Sequence, residues 1–133
     1  MRKSGNAGLV TTTGGGANNL CHTLPVDPVT GVTRSAIIKK ILAYNNTGAG
    51  VTLIFGTMDR TPAGAIWVPI LPTLFAVNSF DNIWTEADIP CVEFQSNTTP
   101  TAAGRTGDIR VQHVGAGGVL IQIEVEEIAE SRE

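Results

Sequence analysis

The sequence predicts an all-β protein, an antiparallel β-sandwich or barrel, and three observations carry the prediction. Short apolar runs rich in Val, Ile and Thr alternate with turn clusters across residues 20–133; β-branched side chains fit a pleated, half-buried surface, and Gly, Pro and Asn punctuate it. Fifteen glycines and seven prolines in 133 residues disfavour long helices. In Val119-Leu120-Ile121-Gln122-Ile123-Glu124-Val125-Glu126 the odd positions are all apolar and the even ones after Leu120 are polar, the period of a strand with one buried face.

The elements follow in order. Residues 1–19 carry little apolar surface and include Thr11-Thr12-Thr13-Gly14-Gly15-Gly16, so packing cannot offset the entropy of ordering them. They predict a flexible N-terminal arm, mobile alone and ordered against a larger assembly, ahead of a single domain over residues 20–133. Strands are predicted at 21–24, 36–44, 51–57, 65–70, 73–77, 92–95, 108–114 and 119–127. That is about eight, the number in a jelly roll. The intervening turns are Pro25-Val26-Asp27-Pro28-Val29-Thr30-Gly31, Asn45-Asn46-Thr47-Gly48-Ala49-Gly50, Thr61-Pro62-Ala63-Gly64 and residues 97–107. Ile37, Ile38, Ile41 and Leu42 also fit helical spacing, with Lys39 and Lys40 on the far side. Flanking β-formers and the following Asn-Asn-Thr-Gly turn select a strand. Thr85-Glu86-Ala87-Asp88 predicts a short helical turn, capped by Thr85 with Asp88 and ended by Pro90. The last two strands predict a hairpin that sets Ile109 opposite Val125, Val111 opposite Ile123 and Arg110 opposite Glu124. A one-residue slip would pair core with solvent throughout, and the connection is then the glycine-rich loop 115–119.

Charge narrows the function classes. The formal net charge is -3 and charged residues make up 16% of the chain, which argues against a phosphate-backbone binder and so against a nucleic-acid partner. No run approaches the roughly 18 apolar residues of a membrane span; the densest, 65–77, is interrupted by Pro69 and Pro72. No membrane partner is expected. Residues 1–8 lack the apolar run of a signal peptide, so synthesis in a cytosol is the expectation. Cys21 and Cys91 read as buried thiols, too few for a disulfide scaffold.

No catalytic, cofactor or metal residue can be assigned. Cys21, His22, Cys91 and His113 are the soft-ligand candidates, and none sits at a C-x-x-C or H-x-x-x-H spacing. His113 has the core-facing parity of its strand and reads as a hydrogen-bonded interior or interface histidine. Asp81, Glu86 and Asp88 lie close together near Trp84 but lack the D-x-D-x-D-G order of a calcium loop, and helix capping explains two of them. There is no G-x-S-x-G elbow. Gly14-Gly15-Gly16 lacks the Lys-Ser or Lys-Thr of a phosphate loop. Asn45-Asn46-Thr47 and Asn97-Thr98-Thr99 match the glycosylation sequon yet read as turn residues. The acids Glu124, Glu126, Glu127, Glu130 and Glu133 read as a solvated strand face and tail, with an acidic dock for a basic partner as the sharper alternative.

A glycine- and threonine-rich N-terminal segment, about eight short strands and a last strand reading Ile-Gln-Ile-Glu-Val-Glu-Glu-Ile together resemble the small jelly-roll decoration proteins of tailed-phage capsids. The residues that carry the resemblance are Ala36-Ile37-Ile38-Lys39-Lys40-Ile41-Leu42-Ala43-Tyr44-Asn45-Asn46-Thr47-Gly48, Val51-Thr52-Leu53-Ile54-Phe55-Gly56-Thr57 and that last strand. The resemblance implies a non-enzymatic homotrimer without cofactors. It would be made in the host cytoplasm, reside in the virion and cement a major capsid protein or another large assembly. It transfers no functional residue, because it rests on no motif. Two other readings stand beside it. A carbohydrate- or receptor-binding jelly-roll module would use Trp67, Trp84, Tyr44 and the phenylalanines as a stacking platform. A small cupin-like enzyme would need clustered histidines and a glutamate, and the chain has two histidines.

Overall fold

Period-two patterning makes each long strand bury one face, and this chain meets that demand with two antiparallel sheets laid face to face. The computed structural model describes residues 2–6, 10–12, 18–24, 33–62, 64–95, 104–105, 107–113 and 117–130. They form β1 (Arg2–Asn6), β2 (Val10–Thr11), β3 (Asn19–Thr23), β4 (Thr33–Asn45), β5 (Val51–Thr61) and β6 (Gly64–Pro69). The second half contributes β7 (Leu74–Ala76), β8 (Phe80–Trp84), β9 (Glu93–Gln95), β10 (Gly104–Arg105), β11 (Asp108–His113) and β12 (Val119–Glu130).

The first sheet runs β1-β12-β4-β8, with β2 also on β12 and β9 also on β4; the second runs β10-β5-β11-β3, with β6 and β7 also on β5. Several of these strands share a lane. β1 and β2 pair successive stretches of β12, β8 and β9 successive stretches of β4. β6 and β7 run along one side of β5, while β10 and β11 run along its other side. Merged in this way, the twelve strands become eight lanes, and the chain crosses from one sheet to the other at almost every connection. This is a jelly-roll-like β-sandwich, as the sequence predicts.

The core lies between the sheets. Ile41 and Ala43 of β4, Ile121 and Ile123 of β12, Leu53 and Phe55 of β5, and Ile109 and Val111 of β11 are all essentially inaccessible, and each of these side chains other than the small Ala43 contributes about 1.5–3 kcal/mol by leaving water. Inward parity changes once along β4. Glu124 pairs with Lys40 and Val125 with Ile38, so Lys39 is the extra residue of a β-bulge. Ala36 and Ile38 point inward before the bulge, Ile41 and Ala43 after it. A bulge that skips one residue turns a spacing of two into three. This is why Ile37, Ile38, Ile41 and Leu42 imitate a helix in the sequence.

Four expectations are corrected. The hairpin between the last two strands does not form: β11 pairs with β3 and β5, and β12 with β1, β2 and β4. Arg110 lies opposite Gly56 and Leu20, and Glu124 opposite Lys40. The buried parity of both strands is as predicted, because parity specifies a face and two facing sheets satisfy it as well as one. Within the N-terminal segment, β1 and β2 pair with β12 where an unpaired arm was expected; backbone donors and acceptors suffice for edge pairing without an apolar face. Phe80–Trp84 is a strand that the polar pair Asp81-Asn82 hides from pattern reading. Cys21 is a buried free thiol, but Cys91, just after Pro90, is exposed. The expected turn at Thr85 is present: the Asp88 carboxylate accepts from the Thr85 amide at 3.0 Å, and the Ile89 amide donates to the Thr85 carbonyl at 3.0 Å. The predicted turn at 25–31 and most of that at 97–107 lie outside the described residues.

Candidate functional site

The outer face of the first sheet is built by the residues of β12, β4 and β8 that the core does not claim. Leu120 pairs with Tyr44, which pairs with Asp81; Gln122 pairs with Leu42, which pairs with Ile83. Paired residues of antiparallel strands share a face, so Leu120, Tyr44, Leu42 and Ile83 form one apolar strip across three strands. Ile83 is 53% exposed, Leu120 41% and Tyr44 37%. The next row is Glu124 opposite Lys40, and a shallow groove lined by Lys40, Leu42, Gln122 and Glu124 joins the two rows. The apolar strip can shed water against a second apolar surface. On the second sheet and its margin Phe75, Ile66, Val77 and Leu20 are also exposed.

Two acids of β12 are paired within the chain. Glu126 reaches Lys39 at 3.4 Å, Lys39 also holds Glu86 at 2.9 Å, and Glu127 meets His22 at 2.5 Å. The side-chain bond from Glu86 pushes the Lys39 pKa up; desolvation opposes it, and the Glu86 charge and then the Glu126 bond and charge add to the rise.

The soft-ligand candidates are not brought together. Cys21 is buried, and removal from water pushes its thiol up to about 12, slightly opposed by the Arg110 charge. His22 binds Glu127 across the two sheets. His113 is fully buried on β11 and pairs through Nε2 with Thr12 Oγ1 at 2.5 Å. Among the described residues no three His, Cys, Asp or Glu side chains group to hold a metal. Of the three acids near Trp84, Asp88 caps its turn, Glu86 pairs with Lys39, and Asp81 lies exposed opposite Tyr44. The aromatics are dispersed: Phe55 and Phe94 are in the core, Trp84 packs against it, and Tyr44 and Phe75 stand exposed on different sheets.

Sequence reasoning missed two polar centres. Asp108 is buried and accepts from Thr57 Oγ1 at 2.7 Å and Arg110 Nε at 2.8 Å. Asn45 is fully buried; its amide nitrogen donates to the Ala49 and Ala76 carbonyls at 2.9 and 3.0 Å, and its oxygen accepts from the Thr47 amide. The sequon at Asn45 is therefore a turn device, as expected. The signal for it was available, since Asn45 continues the inward parity of Ile41 and Ala43. The sequon at Asn97 lies outside the described residues.

No family model and no curated protein matches this sequence. Among solved structures, a chain of the Bacillus endospore appendages, a family of disulfide-linked pili, is similar over 98% of this chain and 89% of that one, with 10% identity and a TM-score of 0.42. A chain of the infectious bursal disease virus Gx strain is similar over 99% of this chain with 15% identity and a TM-score of 0.41. This chain spans 38% of the viral one. Likeness at this level assigns no family, and the architecture rests on the strand order itself.

Proposed function

We propose that the chain is a non-enzymatic structural subunit, a virion decoration protein that assembles as a homotrimer and stabilises a phage capsid. The observation that carries this reading is the strip of Leu42, Tyr44, Ile83 and Leu120 on the outer face of the first sheet. A small sandwich that buries its inner faces ordinarily covers its outer faces with charge, and an apolar strip three strands wide marks a surface made for another protein. Subunit contact covers it in a closed ring. The low charged fraction, 16%, supports the same reading. Binding only the assembled shell then stabilises that shell by mass action.

The test is co-sedimentation with DNA-filled tailed-phage capsids stripped of decoration protein, and heat release of their DNA with and without this chain. Saturable attachment and delayed release are the expected outcomes. Failure to attach, together with a sugar-induced change in tryptophan fluorescence, would replace this reading with the glycan-binding one.

A further inference from the structure

Cys21, Asp108 and His113 are buried titratable groups among the described residues, and the assembly reading gives the imidazole no role. His113 ends β11 on its inward face, fully buried opposite Leu53 of β5. Its Nε2 meets Thr12 Oγ1 at 2.5 Å, while Nδ1 has no hydrogen-bond partner. Thr12 immediately follows β2. It is tied to the start of β12 twice more: its amide donates to the Val119 carbonyl at 3.0 Å, and its hydroxyl oxygen accepts from the Val119 amide at 2.9 Å. One threonine thus joins the N-terminal segment to the last strand of one sheet and to an interior side chain of the other.

We infer that His113 is a pH-sensitive latch on the N-terminal strand: neutral, it holds Thr12 and β2 against β12, and protonated, it lets them go. The argument is a count of donors and acceptors. A neutral imidazole has one donor and one acceptor nitrogen, and a single partner leaves one site unfilled. An imidazolium has two donors, so Nδ1–H enters a buried site with no acceptor. Nε2–H then takes the second acceptor site of the threonine oxygen beside the Val119 amide, and the hydroxyl proton must turn away from the ring. An unpaired buried charge is costly. The cheapest relief lies at a short edge strand, because β2 has two paired residues, Leu120↔Thr11 and Ile121↔Val10. Among the described residues, Thr12 on the ring, Leu53 opposite it and Val119 bonded to Thr12 carry no charge, and Asp108 and Arg110 of the same strand bond to each other. The other imidazole, His22, meets Glu127, which lies opposite Lys3 of β1, so acid can loosen β1 independently. The readout must therefore be β2.

The experiment is amide hydrogen exchange on the full chain, read at residues 10–12 and 119–121 and normalised to intrinsic rates, between about pH 7.5 and about pH 5, a range that spans imidazole titration. Wild type is expected to lose protection there by about tenfold or more as the pH falls. His113→Gln keeps a side-chain amide for Thr12 but does not titrate, and is expected to show no such loss; His22→Gln is expected to keep the wild-type response. A wild-type loss that persists in His113→Gln, or no loss in wild type, overturns the latch. Should His113→Gln not fold, an NMR titration of wild type decides: the His113 ring signals and the Thr12 amide must move with one midpoint, and two separate midpoints overturn it.

Discussion

Asn45 occupies an inward-facing, fully buried position at the end of β4, where Ile41 and Ala43 make an apolar residue the ordinary occupant. Its side chain stands in for backbone, closing the turn that leads to Gly48, whose φ of 95° suits glycine, and tying that turn to Ala76 at the end of β7. Asn45→Ala leaves two carbonyls without these donors and is expected to cost about 2–4 kcal/mol, measured by urea denaturation. The two thiols give a second residue-scale outcome. With the Cys21 thiol held protonated up to about 12 and buried, and Cys91 exposed, native protein at about pH 8 should react with one equivalent of a disulfide reagent and denatured protein with two. Two fast equivalents in the native state would show Cys21 to be open. At this scale the sequence was legible for parity: His113 and the odd residues of β12 face inward as their alternation requires. Asn45 was not, since a polar residue in a turn-rich stretch reads as turn whether or not it is buried.

At the scale of elements, the bulge at Lys39 is the feature that lets both halves of β4 face inward. Deleting Lys39 removes the residue that the pairing with β12 skips, so Ala36, Ile38, Ile41 and Ala43 fall into strict alternation on the same inward face. The expected result is a cooperative thermal transition that is kept, read by circular dichroism; its loss would show that the sheet needs the bulge itself and not only the inward parity it secures. Most strands were legible because β5, β11 and β12 each carry a long unbroken period of two. Their partners were not. Parity names the buried face of β11 and of β12 but not the neighbour on either side, and a connection that crosses between sheets leaves the same pattern as a hairpin. β1 and β2 were illegible for a different reason: they pair through backbone groups at an edge, where no apolar period is required.

For the whole molecule, the eight-lane sandwich explains why the candidate site escaped pattern reading. Leu42, Tyr44, Ile83 and Leu120 lie far apart in the chain and become one strip only through the pairing of β12, β4 and β8. Leu120 alone left a trace, as the apolar residue on the polar side of an otherwise clean alternation. If this strip joins subunits, placing a charge in its middle must separate them without unfolding the sandwich, because Tyr44 and Ile83 already face solvent in the single chain. The most direct measurement is light scattering coupled to size exclusion across micromolar concentrations, on wild type and on a Tyr44→Glu, Ile83→Lys double variant whose fold is checked by circular dichroism. The expected masses are three times the 13.9 kDa chain for wild type and one chain for the variant; a wild-type monomer, or a folded variant that keeps the wild-type mass, would contradict the account.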